Sequence, residues 1–302
     1  MDHIFEQLNR ALTAACPELE LRVGESMSRH TSFRVGGPAA LMALPKTVEQ
    51  AQICVKTAHA MGVEPFFLGN GSNLLVPDEG VSRFLIKPVP GLNTCTLNGN
   101  TITAGCGITL SRLATFARDN GLTGLEFAHG IPGSLGGAVF MNAGAYGGEM
   151  AQVVSAVTCL TAEGEIETVT EFDFGYRKSV FADGKRLILS AEMELQSGDR
   201  ETISARMEEL AAQRQAKQPL EYPSAGSMFK RPAGYFAGAL IEQAGLKGFT
   251  VGGAQVSEKH AGFVINAGGA TCSDVLELVR QVRLRVLEHA GVELEMEVRV
   301  LK

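Results

Sequence analysis

The sequence of 302 residues has no excess of positive charge and no long apolar run. Its formal net charge is -6, whereas a surface that binds nucleic acid or anionic lipid carries a basic excess. No stretch reaches about 18 consecutive apolar residues, so we expect no transmembrane helix. The chain starts with the acidic segment MDHIFE, which is unlike a secretory signal, and we therefore expect a cytoplasmic protein.

Closely spaced cysteine pairs are also absent. The six cysteines lie far apart and form no C-x-x-C motif: Cys16, Cys54, Cys95, Cys106, Cys159 and Cys272. This spacing predicts neither a zinc site nor a disulfide framework. We expect reduced, partly buried thiols and no bound metal.

Two common nucleotide-binding motifs are missing. No G-x-x-x-x-G-K-[ST] phosphate loop occurs. Gly105 and Gly107 begin a pattern that resembles a dinucleotide fingerprint, but Leu110 occupies the third glycine position. A predicted hairpin also precedes this pattern, so we do not expect a Rossmann site.

Glycine is concentrated in residues 130–148, where seven of the nineteen residues are glycine and none is Lys or Arg. Ordering glycine is entropically costly, so such a block indicates backbone with positive φ or backbone that lies flat against a large ligand. A second segment, Gly-Asn-Gly-Ser-Asn at residues 69–73, fits either an anion-binding nest or an ordinary tight connection between strands. Two such segments suit a long dinucleotide better than a single phosphate.

The apolar periodicity predicts a mixed architecture. We expect helices at residues 47–61, 109–120, 199–217 and 273–289, hairpins at 94–104 and 153–170, and strands at 187–195 and 292–301. Residues 222–234 are rich in Pro, Ser and Gly and are predicted to form a loop. Hairpins mixed with helices indicate an α+β fold. A composition change near Ser197 predicts two domains, residues 1–197 and 198–302.

Three isolated residues could carry chemistry, although each also has an ordinary interpretation. Arg177 could bind a carboxylate through both guanidinium nitrogens, or be a solvated arginine. Ser227 lies in an S-x-x-K pattern, but the partner motifs of acyl-transferring serine enzymes are missing, and it could be a turn residue. Glu297 belongs to an alternating acidic face, where periodicity does not distinguish it from its neighbours.

Taken together, the motifs resemble the UDP-N-acetylenolpyruvoylglucosamine reductase family over nearly the whole chain. They occupy residues 31–39, 69–75, 131–138, 142–147, 176–179, 225–230, 259–263 and 294–299. The chain has no clear insertion between residues 148 and 177, so it resembles the shorter class, which lacks an additional tyrosine loop.

This resemblance implies a vanillyl-alcohol-oxidase-type FAD-binding domain of two α/β lobes, with its core at about residues 31–197, and a C-terminal α/β substrate domain. It implies that both glycine-rich segments hold FAD, through Gly69, Asn70, Gly71, Ser72, Asn73, Gly130, Pro132, Gly133, Ser134, Gly136, Gly137, Asn142 and Gly144. Relatives with covalent flavin often carry histidine after the paired glycines, whereas Pro38 follows Gly36 and Gly37 here. We therefore expect non-covalent FAD.

The resemblance also implies a reaction, in which NADPH reduces the flavin and hydride then passes to an enolpyruvyl double bond. Ser227 is the implied proton donor, and Arg177 the residue that binds the substrate carboxylate. Glu297 is implied to polarise that carboxylate, either protonated or through water. Lys230 and Arg231 are candidate substrate contacts, although the family usually has Asn at the position of Arg231.

Two other functions remain open from the sequence alone. One is another FAD-dependent oxidase or dehydrogenase on the same scaffold, and the other is a non-catalytic nucleotide-binding relative. In either case the expected partners are small molecules, and we expect a monomer without nucleic acid or membrane insertion.

Overall fold

The computed structural model describes residues 3–302. The helices are α1 (His3–Ala15), α2 (Val48–Ala60), α3 (Leu110–Asp119), α4 (Leu135–Met141), α5 (Arg200–Lys217), α6 (Ala237–Gln243) and α7 (Cys272–Ala290). The four predicted helices correspond to α2, α3, α5 and α7. Helices α1, α4 and α6 were not expected from the sequence.

Many of the strands are only two residues long. They are β1 (Glu20–Ser26), β2 (Pro38–Leu44), β3 (Phe66–Phe67), β4 (Leu74–Leu75), β5 (Val81–Ile86), β6 (Cys95–Asn98), β7 (Thr101–Gly105), β8 (Leu122–Thr123), β9 (Gly144–Ala145), β10 (Gly148–Glu149), β11 (Val154–Leu160), β12 (Ile166–Val169), β13 (Leu187–Glu194), β14 (Gln196–Ser197), β15 (Ser224–Ser227), β16 (Thr250–Val251), β17 (Ala254–Val256), β18 (Phe263–Asn266) and β19 (Arg299–Val300). The predicted hairpins are β6–β7 and β11–β12, both antiparallel.

Side-chain caps explain where the predicted helices begin. Thr47 Oγ1 accepts a hydrogen bond from Gln50 N at the start of α2, and Thr271 does the same for Asp274 N in α7. The Asp274 carboxylate also accepts from Thr271 N, which completes a capping box. In α2 the box is incomplete, because the Gln50 side chain accepts from Lys46 N instead.

The chain divides into two compact units that are interleaved in sequence. The first unit comprises the chain up to Val23, Ala40–Asn70 and Ser82–Gln213. The second comprises Gly24–Ala39, Gly71–Val81 and Arg214–Lys302. The predicted domain boundary between residues 197 and 198 stays a prediction.

Two sheets build most of the first unit. One has the strand order β1-β2-β5-β3 and the other β12-β11-β13-β7-β6. Helix α1 packs on α2, and α4 packs on β13 and β7. A continuous apolar core includes Phe84, Phe181 and Leu8, all fully buried. This core fixes the position of α4 and therefore of the glycine-rich block around it.

The second unit has its own core beneath the sheet β15-β18-β17-β16. Helix α7 contributes the apolar face that its periodicity predicts, with Val275, Leu278, Val282 and Val286 buried. Strand β19 pairs with β4 in parallel, so Arg299 lies beside Leu74. Among residues 3–302, no helix is both long and apolar enough to cross a membrane.

Two segments differ from the sequence prediction. Residues 292–301 form only the two-residue strand β19 and one isolated bridge between Met296 and Phe229. Alternating burial is nevertheless present, since Leu294 and Val298 are buried while Glu293 and Glu295 are exposed. The predicted loop at residues 222–234 contains strand β15.

The cysteines are free thiols, and all but Cys95 are buried. Burial raises the pKa of Cys54 and of Cys106 to about 12. A thiol with so high a pKa has little thiolate at neutral pH, so these residues belong to the core and not to a reactive site.

Candidate active site

The glycine-rich block of the first unit surrounds helix α4, which begins after Ser134. Ser134 is 1% exposed, and within the described residues its Oγ has no hydrogen-bond partner. Leaving a buried hydroxyl unpaired costs free energy, so native proteins rarely do so without a reason. Ser134 is thus a polar group available to a ligand.

Gly69 lies directly against this hydroxyl. A Cβ atom at residue 69 would be 2.7 Å from Ser134 Oγ and 3.9 Å from Gly137 N. At Gly137 itself, which is exposed, the nearest atom to a Cβ would be Ser134 Oγ at 3.7 Å. Gly69, Ser134 and Gly137 therefore line a small space, which we call the cradle. This space is open because the two glycines have no side chains.

Other glycines of the block are required by packing within the protein. A Cβ at Gly136 would be 2.9 Å from Cys106 Cβ, and one at Gly148 would be 2.5 Å from the Phe127 ring. A Cβ at Gly144 would be 2.6 Å from the carbonyl oxygen of Gly148. Not every glycine in residues 130–148 is thus explained by a ligand.

The first backbone N–H groups of α4 are already used. Leu135 N donates to Ile108 O, and Gly136 N donates to Cys106 O, each at 2.9 Å. These bonds fix the start of α4 against the segment after β7. The ligand-binding potential of this end therefore rests on Ser134 Oγ and the glycine cradle rather than on the helix terminus alone.

The second glycine segment continues into the second unit with Gly71, Ser72 and Asn73. Gly71 has φ +63°, and a Cβ there would be 2.1 Å from His30 O, so only glycine fits this crossing of two backbone segments. Asn73 Nδ2 donates to Glu297 O at 3.2 Å, and Arg299 N donates to Asn73 O at 3.1 Å. Asn73 therefore holds the backbone on which Glu297 lies.

Ser227 ends strand β15, whose pairing with β18 is irregular. Ser224 lies opposite Ile265, and Ser227 lies opposite Phe263. The two paired positions are three residues apart on β15 but two residues apart on β18, so β15 contains one extra residue. Gly226 has φ +78° within this bulge. Ser227 Oγ donates to Phe229 O at 3.0 Å. The bulge determines which face of the sheet carries the hydroxyl.

Glu297 lies beside the same segment. Its N–H donates to Met228 O at 2.9 Å, one residue after Ser227. Glu297 is half-buried, whereas Glu293 and Glu295 are exposed. The structure thus separates Glu297 from the other glutamates of the alternating face and brings it close to Ser227 along the backbone.

The two predicted substrate residues are both engaged with other side chains. Lys230 forms an ion pair with Glu295, and Lys230 N donates to Glu295 O at 2.9 Å. The Arg231 guanidinium lies 4.4 Å from the centre of the Phe236 ring. Phe236 is exposed, so this stack presents a flat, cationic surface to solvent.

Arg177 lies in the first unit at the tip of a tight turn. Gly175 and Lys178 exchange two backbone hydrogen bonds, of 3.1 and 3.2 Å, across Tyr176 and Arg177. Arg177 has φ +56°, which is unfavourable for a non-glycine residue and is often found at functional sites. Its guanidinium lies 5.0 Å from the centre of the Tyr176 ring.

Comparison with known proteins identifies the family. Family models match residues 39–170 as "FAD binding domain" and residues 218–301 as "UDP-N-acetylenolpyruvoylglucosamine reductase, C-terminal domain". A UDP-N-acetylenolpyruvoylglucosamine reductase from Pediococcus pentosaceus is 48% identical over 296 residues, covering 97% of this chain and 98% of the relative. One from Clostridium perfringens is 49% identical over 286 residues, 94% of each chain.

The chain belongs to the UDP-N-acetylenolpyruvoylglucosamine reductase family. A crystal structure of UDP-N-acetylenolpyruvylglucosamine reductase (MurB) from Thermus caldophilus superposes with a TM-score of 0.81 at 38% identity. That match covers 94% of this chain and 99% of the other. The predicted family, the α+β class with its FAD-binding domain, and the FAD-containing oxidoreductase class are confirmed.

The residues around α4 fit the FAD that this family binds. Ser134 Oγ is a buried polar atom without a partner among the described residues, and Gly69 leaves open the space beside it. The sequence did not indicate α4 itself, because Gly136 and Gly137 are poor helix formers. The only sequence signal for this arrangement was the concentration of glycine.

Proposed function

We propose that this protein catalyses the NADPH-dependent reduction of the enolpyruvyl group of UDP-N-acetylenolpyruvoylglucosamine to give UDP-N-acetylmuramate, a precursor of bacterial peptidoglycan. The family membership carries this proposal, and the neighbouring positions of Ser227 and Glu297 in the second unit support it. We further propose a cytoplasmic location and a monomeric state.

FAD supplies, when bound, a hydride that it has received from NADPH. We propose that Ser134, Gly69 and Gly137 hold it in the first unit, with Gly130, Pro132 and Gly133 alongside. Asn70, Gly71, Ser72, Asn73, Gly136 and Gly144 stay predictions for the same role, whereas the side-chain amide of Asn142 bonds to Gly175 O and Ala151 N. Because Pro38, and not histidine, follows Gly36 and Gly37, we propose that the FAD is non-covalent and that acid denaturation releases it from the chain.

Ser227 is the proposed proton donor. Addition of hydride to the methylene carbon converts the double bond to an enolate, and a proton must then reach the carbon that bears the carboxylate. Ser227 Oγ donates to Phe229 O here, so the hydroxyl has to turn from that carbonyl toward the substrate. A serine hydroxyl is a weak acid and can protonate only a strongly basic carbon, which an enolate provides.

Arg177 and Glu297 act on the substrate carboxylate in this proposal. A guanidinium binds both carboxylate oxygens and stabilises the negative charge that develops on them. The positive φ of Arg177 makes its turn a costly conformation, which supports a functional role. Glu297 polarises the carboxylate, and Lys230 and Arg231 contact the remainder of the substrate.

The visible spectrum of the purified protein tests this proposal. We expect bound flavin that NADPH bleaches, and colour that returns under anaerobic conditions only when UDP-N-acetylenolpyruvoylglucosamine is added. Bleaching of the oxidised flavin by a hydroxy acid or sugar, without NADPH, would instead indicate another flavin enzyme on this scaffold. Protein without flavin absorbance, even after incubation with FAD, would indicate a non-catalytic relative.

A further inference from the structure

We propose that Asn142 is a positioning residue for Arg177, acting through the end of helix α4 rather than through contact with the cofactor. This inference rests on the proposed role of Arg177. It concerns residues 173–179, which we call the arginine loop, and its attachment to α4 within the first unit.

Asn142 is the C-terminal cap of α4 and is 1% exposed. Its φ of +43° is left-handed, a conformation that Asn tolerates better than most residues. Both ends of its side-chain amide are used. Nδ2 donates to Gly175 O at 3.1 Å, and Oδ1 accepts from Ala151 N at 2.9 Å.

A second bond attaches the other end of the arginine loop to the same helix. Ser179 Oγ donates to Phe140 O at 2.8 Å and accepts from Phe181 N at 3.2 Å. Phe140 O lies in the last turn of α4, where side chains from other segments commonly bond to backbone carbonyl groups. Ser179 is 3% exposed, so this bond is shielded from water.

These two attachments bracket Arg177. Gly175 lies two residues before it and Ser179 two residues after it, and the turn between them is closed by the paired bonds of Gly175 and Lys178. Each attachment uses a group at the end of α4. The unfavourable left-handed conformation of Arg177 is therefore held by bonds on both sides, as a strained residue requires.

The helix also connects this loop to the proposed cofactor cradle. Ser134 precedes the first residue of α4, and Asn142 follows the last. The seven residues of α4 thus set the separation between Ser134 and the point where the arginine loop is attached. Asn142 contributes to the reaction by fixing Arg177 relative to this helix.

The variant Asn142→Gly tests the inference, because glycine accepts the left-handed conformation but removes both side-chain bonds. We expect flavin content and flavin reduction by NADPH to stay within about twofold of the parent protein. Reoxidation of the flavin by the enolpyruvyl substrate should slow by about 10-fold to 100-fold, the effect of misplacing a group by up to about 1 Å. Combining the variant with Arg177→Ala should cause no further slowing beyond Arg177→Ala alone.

A matched control is Asn120→Gly. Asn120 caps α3 and its side chain donates to Phe116 O at 2.8 Å, but within residues 3–302 this side chain attaches no other loop. We expect its reoxidation rate to equal that of the parent. Hydrogen exchange gives a second readout on protein without flavin: amides of residues 173–181 should exchange about 10-fold faster in Asn142→Gly and not in Asn120→Gly.

The outcomes separate the two proposals. Normal reoxidation in Asn142→Gly with slow reoxidation in Arg177→Ala would overturn the positioning role and leave the proposed function standing. Normal reoxidation in Arg177→Ala would instead overturn the catalytic role of Arg177. Loss of flavin from Asn142→Gly would favour a direct cofactor contact. If Asn142→Gly does not fold, Ser179→Ala removes the other attachment and is subject to the same expectations.

Discussion

Asn73 and Glu297 are joined by a hydrogen bond from the Asn73 side-chain amide to the Glu297 backbone carbonyl, with Nδ2 and O 3.2 Å apart. The two residues are 224 positions apart in sequence. Asn73 belongs to a segment predicted to contact FAD, and Glu297 is a proposed catalytic residue. One side chain therefore connects the glycine-rich segment to the segment that carries Glu297 within the second unit.

Replacing Asn73 with alanine should slow substrate reduction through Glu297. The Glu297 carbonyl loses its side-chain donor, and the carboxylate on the same residue is less well placed. We expect kcat to fall about 10-fold or more. Steady-state kinetics corrected for flavin content measure this, and the double variant with Glu297→Gln should be no slower than Glu297→Gln alone. Losses that multiply would show that Asn73 acts independently.

The variant Ser227→Ala should separate the two halves of the reaction. Flavin reduction by NADPH should be unchanged, because no proton from Ser227 is needed for it. Reoxidation by the enolpyruvyl substrate should slow by about 100-fold to 10,000-fold, as expected for loss of a proton donor. Ser224→Ala on the same strand is the matched control in stopped-flow absorbance measurements. Near-normal turnover in Ser227→Ala would reject the assignment.

Gly69→Ala should reduce flavin binding without unfolding the first unit. The new Cβ would lie 2.7 Å from Ser134 Oγ and fill the cradle. We expect purified protein with little flavin, measured as the ratio of absorbance at about 450 nm to that at 280 nm. Gly62→Ala is the control, because its surroundings are open although its φ is +68°. It should lose about 1 kcal/mol of stability and keep its flavin. Full flavin content in Gly69→Ala would contradict the cradle.

Asp78 stabilises the start of α7 from a distant part of the sequence. Burial raises the pKa of its carboxyl, but hydrogen bonds from Cys272 N, Ser273 N and Ser273 Oγ outweigh this effect and lower the pKa overall. Because the folded-state pKa lies below the unfolded one, this stabilisation is present above about pH 4 and is lost as the pH falls further.

Asp78→Asn should therefore lower the free energy of unfolding by about 1 kcal/mol at neutral pH, a value reduced for the solvent exposure of Asp78. Urea unfolding monitored by circular dichroism measures this change. Ser273→Ala removes one donor from the same group of hydrogen bonds and should have a smaller effect. Equal stability of Asp78→Asn and the parent at pH 7 would refute the proposed cap.

His260 should make the protein less stable in mild acid. Burial lowers its pKa from the ordinary value of 6.5, and its Nδ1 accepts a hydrogen bond from Gly262 N at 3.1 Å. The folded state therefore binds the proton more weakly than the unfolded state. The resulting stability is present above about pH 6.5 and is lost as the pH falls through the folded pKa.

The variant His260→Asn can keep an acceptor near this position but does not titrate. Its melting temperature should fall less than that of the parent between pH 7.5 and about pH 5.5, as followed by differential scanning calorimetry. His129, whose pKa is also lowered by burial, accounts for part of the remaining dependence. Identical pH profiles for His260→Asn and the parent would exclude the contribution of His260.

The sequence predicts those helices and hairpins whose signals lie within a few neighbouring residues. Thr47 and Thr271 mark helix starts because their side chains bond to N–H groups only three residues away. The extent of pairing at residues 292–301 was not predictable in this way. Alternating burial is a property of the segment itself, but a strand also needs a partner, and β4 offers only Leu74 and Leu75.

The candidate site shows the same difference between local sequence signals and contacts that join distant segments. The motifs identified Arg177, Ser227 and Glu297 only through the family resemblance, since each has an ordinary interpretation in isolation. The bonds that orient them join distant segments, such as Ser179 to Phe140 and Asn73 to Glu297. Neither periodicity nor spacing in the sequence predicts these pairs, because each pair forms only when two distant segments pack together in the folded protein.

The extra residue in the bulge before Ser227 determines on which face of the sheet the Ser227 hydroxyl lies. If β15 paired regularly with β18 from Ser224 onward, residue 226 would lie opposite Phe263, and Ser227 would face the other side of the sheet. A deletion of one residue between Ser224 and Ser227 would restore an ideal ladder and leave the serine opposite Phe263, whereas loss of the bulge without a deletion would turn the hydroxyl to the other face. A homologous sequence could retain every catalytic side chain and still be unable to deliver the proton.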